Sequence, residues 1–214
     1  MDALPLGPLT DLAIIRLSGG EIDERGDHLV VRTPANPGHY WGNYIQVLDA
    51  DRVDDAERWL GVFERALPGV RHRAFGLPVA PDPDAWVGFA CEAFETLSSD
   101  AAPRPAPCPD GYASRPLAAL DWDAVAPHEL AENARIGEHD EALYVPFIAA
   151  RVVGDQALES TGRARFFGAF DESGALVAHL GIVVCPPTLG RTGLARYAHV
   201  GTAFDQGMNV SSCV

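Results

Sequence analysis

Apolar positions along the first hundred residues come in short runs. Ala13–Leu17, Leu29–Arg32 and Asn43–Leu48 each hold enough branched or aromatic residues to read as strands. Thr33–Gly38, with Pro34 and Pro37, is the turn cluster between the last two. The period then changes. Ala56, Trp59, Leu60, Phe63, Ala66 and Leu67 fall on one face of a helix that Asp51 is placed to cap and Gly69 to stop. A short strand at His72–Phe75 and a second helix at Pro83–Phe94 complete this half.

Pro103, Pro105, Pro107 and Pro109 alternate through Ser98–Gly111, a spacing that neither a helix nor a central strand accepts. It divides the chain into 1–110 and 111–214. The second half starts with a strand at Leu117–Trp122. A helix follows with Pro127 in its first turn and Gly137 at its end. The next helix begins near Pro146, turns Ala149, Val152, Val153 and Ala157 to one face, and stops at Gly162. Phe166–Phe170 and Leu176–Cys185 are strands joined by the hairpin loop Asp171–Gly174. Leu176–Cys185 is apolar on both faces apart from His179, so a buried central strand is expected, with His179 as a hydrogen-bonded core histidine. A loop at Pro186–Gly193 leads to a last strand, Leu194–Gly201. Arg73–Gly76 and Arg165–Gly168 share the pattern R-x-F-G, a local echo that reads either as coincidence at two helix-to-strand junctions or as two copies of one α/β unit. The expected fold class is α+β: a mixed, mostly antiparallel sheet flanked by helices.

Charge narrows the chemistry. The 214 residues carry a net charge of −14, and all 16 basic residues are arginine. Residues 1–110 hold nine arginines against eighteen acidic residues, and 111–214 hold seven against twelve. Neither half suits a phosphate backbone, so no nucleic-acid partner is expected. A cationic amine suits both. No apolar run approaches the roughly 20 residues of a membrane span, so no membrane partner is expected. Cys91, Cys108, Cys185 and Cys213 are widely spaced with no C-x-x-C pair. This disfavours a disulfide framework or a metal site and fits reduced thiols in a cytoplasmic protein. H-E-x-x-H, G-x-S-x-G and P-loop motifs are absent.

Two clusters remain as substrate candidates. His39–Tyr44 is the densest aromatic stretch, and Tyr40 and Trp41 suit either a pocket for a cationic amine or the packing of a strand start. Glu138, His139, Asp140 and Glu141 are consecutive, so they do not share a helical face. They read either as an amine-attracting joint between two helices or as a solvated helix start.

The stretch Arg165–Val184, RFFGAFDESGALVAHLGIVV, resembles the second and third strands of the GCN5-related N-acetyltransferase (GNAT) family. LARYAHV at Leu194–Val200 resembles the fourth. His28–Asn43, Ala56–Leu60 and His72–Gly76 are similar to bacterial members with a GNAT-like N-terminal segment, so the resemblance runs over roughly residues 10–202. It implies an acyl-CoA N-acyltransferase fold and transfer of acetyl from acetyl-CoA to a small-molecule amine. It further implies that Tyr197, Val200 and Thr202 contact the cofactor, that His199 serves as the base, and that the helix joint holding Glu138 lines the substrate site, to which the aromatic reading adds Tyr40 and Trp41.

The family's fourth strand leads into R/Q-x-x-G-x-G/A, which binds pyrophosphate. This chain instead reads VGTAFDQGMNVSSCV from Val200. The expectation is therefore a C-terminally incomplete, truncated GNAT domain that binds acetyl-CoA weakly and transfers acetyl poorly. The alternative is a non-catalytic GNAT-derived protein that binds a small ligand or a partner. Without a fifth strand, Leu194–Gly201 presents an open edge that invites self-association.

Overall fold

The computed structural model describes residues 4–96, 107–137 and 139–185, and the backbone alone of 195–202 and 212–213. The chain forms two compact units, Met1–Phe94 and Glu95–Val214. Both are α+β, with largely antiparallel sheets and helices packed on them. No helix among the described residues is long and apolar enough to cross a membrane.

In the first unit, α1 (Leu6–Leu17) is followed by β1 (Glu21–Glu24), β2 (His28–Arg32), β3 (Tyr44–Val47), α2 (Ala56–Ala66) and β4 (Phe75–Gly76). The sheet has the order β1-β2-β3-β4, antiparallel except for the β3–β4 pair. Alternation along β2 sends Leu29 and Val31 to a cluster with Leu12, Ile15 and Tyr44. Val30 goes to the other face, with Ile45, Val47, Trp59 and Phe63. Both faces are covered, which is why β2 reads as an apolar run.

The structure corrects several expectations here. Ala13–Leu17 is the end of α1, not a strand: a short apolar run does not declare its period, and Leu12, Ala13 and Ile15 bury one helical side. β1 carries no apolar alternation of its own, because its residues are Glu-Ile-Asp-Glu and Ile22 is its one apolar member, opposite Val31. Asp51 does not cap α2. It lies in a short 3-10 turn capped by Asp49, and α2 starts after Asp55. His72–Phe75 contracts to β4. Pro83–Phe94 forms no helix; Pro81, Pro83 and a left-handed Gly88 keep it in turns. Trp86 anchors that segment, donating its indole N–H to the Val53 carbonyl at 2.9 Å and packing on Phe75 and Phe89.

The second unit contains β5 (Tyr112–Pro116), α3 (Trp122–Ile136), α4 (Glu141–Ser160), β6 (Ala164–Asp171), β7 (Leu176–Cys185), β8 (Ala195–Thr202) and β9 (Ser212–Cys213). These strands pair antiparallel in the order β5-β6-β7-β8-β9. α3 packs on β7 and α4 on β6. The predicted hairpin is present. The Asp171 carboxylate accepts from Ser173 N at 2.9 Å, Ser173 Oγ at 2.6 Å and Ala175 N at 3.0 Å, which holds its pKa low.

Leu117–Trp122 is not a strand. β5 ends at Pro116, and the Asp121 carboxylate accepts from Ala118 N at 2.6 Å to make a turn before Trp122 opens α3. Pro127 and Pro146 each lie within a helix rather than in its first turn. Gly137 ends α3 as expected, in the left-handed conformation at φ 75°. The face assigned to α4 is wrong. Val153 is 66% exposed, while Ile148 and Leu158 are buried. The helix is apolar almost all round, so hydrophobicity alone does not show which side faces the sheet.

β7 is central as expected, but its burial is one-sided. His179, Gly181, Val183 and Cys185 are buried, whereas Leu180 and Ile182 are half-buried and Val184 is exposed. Gly181 stands opposite Phe166, and a Cβ there would come within 2.4 Å of the Phe166 ring. That ring is itself wedged against Trp122 at 5.0 Å. Gly181→Ala is therefore expected to destabilise the second unit by about 2 kcal/mol through overpacking. Unchanged urea unfolding would disprove the tight fit.

β8 does not keep an entirely open edge. Ser212 and Cys213 pair with Ala198 and Tyr197. The R-x-F-G echo occupies unlike settings, a parallel β4 and an antiparallel β6, in keeping with coincidence.

Candidate functional site

A polar cluster lies where α3 and α4 cover the inner face of β7. Trp122, Val125, Glu129 and Asn133 form the buried stripe of α3, so Glu129 is carried into the core by helical spacing. Its Oε1 is 2.6 Å from His179 Nε2, and its Oε2 accepts from the Tyr144 hydroxyl at 3.0 Å. One carboxylate thus ties β7, α3 and α4 together. Asn133 fixes the joint between the helices: its amide donates to the His139 carbonyl at 2.9 Å and its Oδ1 accepts from His139 N at 3.0 Å. The Asp140 carboxylate then caps α4 by accepting from Leu143 N at 3.2 Å.

Further ionisable groups surround this core. The ring of His128 is 5.9 Å from that of His179, and its buried Nε2 has no hydrogen-bond partner among the described residues. Burial lowers the His128 pKa, so the ring is held neutral. On α4, Asp155 lies 3.7 Å from Arg151 with its side chain 21% exposed. Burial outweighs the arginine and pushes the Asp155 pKa up to about 6. His128 and Asp155, both shifted by burial, flank the hydrogen-bonded cluster, and shifted ionisable groups gather at functional sites.

Asp155 gives a pH prediction. Its pKa is raised on folding, so between about pH 4 and 6 the folded chain holds a proton that the unfolded chain has lost, and stability falls as pH rises through that window. Asp155→Asn removes the effect. The variant is expected to gain about 2 kcal/mol over the parent at pH 7.5 and to match it near pH 4. Hydrogen exchange of β7 amides at both pH values checks this; an equal difference at both would refute it.

The sequence candidates on β8 all fall within Ala195–Thr202. The register sets His199 opposite Gly181 and Tyr197 opposite Val183, the positions of the helix-covered face that also carries His179. Val200 and Thr202 stand opposite Leu180 and Ala178, on the other face. Four residues proposed for one chemistry therefore divide between two sides of the strand. Glu138 lies outside the described residues.

Tyr40 and Trp41 belong to the first unit, in a 3-10 turn at Tyr40–Gly42, and are 55% and 48% exposed. Tyr40 stacks on His72 at 4.1 Å, and Trp41 packs edgewise on Tyr44 and Phe94. Asn43 is the buried member of this stretch. It accepts from Thr33 N and donates to the Asn36 and His39 carbonyls, each at 2.9 Å. The motif therefore has a clear structural job, with two aromatic faces left toward solvent.

Sequence reading singled out His179 but missed Glu129, Tyr144 and Asp155. The available signal was a glutamate on the buried stripe of α3, four residues from each of its buried neighbours Val125 and Asn133. No family profile and no curated protein matches the chain. Among solved structures, it is similar to a ribosomal-protein-S5-alanine acetyltransferase from Vibrio fischeri, at 13% identity and a TM-score of 0.32. The match covers 44% of this chain and about half, 52%, of that one, a likeness too slight to argue from.

Proposed function

We propose that the second unit is a GNAT-type module that transfers acetyl from acetyl-CoA to a small-molecule amine. The observation that supports this reading is the order β5-α3-α4-β6-β7-β8, with the four strands antiparallel in chain order and the helices packed on the sheet. This is the order that the resemblance of Arg165–Val200 implies. Beyond Ala198, β8 has no strand partner on its β9 side among the described residues. Its backbone groups there suit strand-like hydrogen bonds to an extended donor arm. Bound acetyl-CoA supplies an activated thioester. His199 takes the proton that the attacking amine loses, and backbone N–H groups of β8 steady the carbonyl oxygen. The Glu129–His179–Tyr144 cluster holds the neighbouring strand and helices rigid. Binding of acetyl-CoA is expected to be weak, because residues 201–214 contain no R/Q-x-x-G-x-G/A stretch.

The test is amine-dependent thiol release at saturating acetyl-CoA, scanned over a panel of small amines. Turnover that drops about 100-fold in His199→Ala supports the reading. Stabilisation by acetyl-CoA without turnover favours the non-catalytic binder. Neither turnover nor stabilisation would sink both.

A further inference from the structure

We propose that the first unit carries a binding site for a small phosphate-bearing anion, in a cavity of about 300 Å³ between β2 and the last turns of α2. The inference concerns a different unit and does not rest on the acetyl-transfer reading. Arg25, His28, Arg32 and Arg65 line the cavity, with Val62 and Ala66 as part of its apolar wall, and no carboxylate is among its lining residues. In a chain of net charge −14, three arginines converge on this one cavity.

Two of these guanidinium groups are not neutralised. Arg32 donates from Nε and Nη2 to the Ala66 carbonyl at 3.2 Å, a neutral acceptor that fixes the side chain without cancelling its charge. Arg65 makes no hydrogen bond or ion pair among the described residues. It lies back along α2 over Gly61, where a Cβ would come within 3.2 Å of its Nη1. A side chain at this helical position would crowd the guanidinium, which Gly61 leaves room for. Arg25 is paired with Asp23 at 2.6 Å, and His28 Nδ1 lies 2.7 Å from the Asp27 carboxylate. A fixed and a free guanidinium on adjoining elements suit the several acceptor oxygens of a phosphate. The volume lies at the lower end for small-ligand pockets.

Inorganic phosphate is the probe, titrated into the full chain by calorimetry at constant ionic strength with chloride as background. Saturable binding is expected, about tenfold weaker in Arg65→Gln, whose thermal melting should match the parent. Arg32→Gln should weaken it as well. Arg73→Gln, which removes an exposed arginine paired with Glu64 outside the cavity, should leave it unchanged. Absence of saturable binding in the parent would overturn the proposal and leave the arginines as partners of the α2 C-terminus alone. Equal weakening by Arg73→Gln would overturn it too, as general attraction of anions.

Discussion

Glu129→Ala is expected to destabilise the second unit by about 3–5 kcal/mol, the usual effect of removing one member of a buried pair. The reason is what it leaves behind. His179 is buried in the middle of the sheet and its Nε2 loses a partner at 2.6 Å, while the Tyr144 hydroxyl loses its acceptor. His179 is 5% exposed, so its ring stays largely out of reach of water. Replacing both partners with apolar residues, Glu129→Leu with His179→Leu, should recover part of the loss, because the buried imidazole is then gone and only the half-buried Tyr144 hydroxyl has lost its acceptor. Urea unfolding of the single and double variants checks this. A single variant within 1 kcal/mol of the parent would show that the pair is incidental to the unit.

Asn43→Ala is expected to cost about 3 kcal/mol in the first unit, from three buried hydrogen bonds at about 1 kcal/mol each. The Asn43 side chain joins the end of β2 to the turn that precedes β3, through Thr33 N and the Asn36 and His39 carbonyls. The Asn43 carbonyl also lies 3.0 Å from His72 Nε2, beneath the Tyr40 ring. Loss of the amide should therefore loosen the Tyr40–His72 stack along with the turn. Thermal unfolding measures the first effect, and the ring-current shift of the His72 protons measures the second. If melting falls but the shift stays, the aromatic stretch stands independently of Asn43.

The residues of this motif show how far sequence reading reaches. His39–Tyr44 is visible as an aromatic cluster, yet its buried and connecting member is the asparagine, whose three bonds span ten residues. Residue type predicted that Tyr40 and Trp41 pack or bind; it did not predict that the adjacent amide holds the loop. The same holds at β8. The sequence places Tyr197, His199, Val200 and Thr202 on one strand, and pairing with β7 assigns them to its two faces.

What the chain reveals locally follows from short-range physics. β2 and β3, the helical stripe of α2, the Asp171–Gly174 hairpin and the glycine stop of α3 all rest on periodicity or turn chemistry within a few residues. The rest required the folded chain. α4 is apolar nearly all round, so packing on β6 selected the side that carries Ile148, Asp155 and Leu158. The His179–Glu129 contact joins positions fifty residues apart, and the arginine-lined cavity draws Arg32 and Arg65 from a strand and a helix. Periodicity tells a side chain which face of its own element it occupies, whereas its partner depends on which elements pack together, a choice made by the burial of the whole unit.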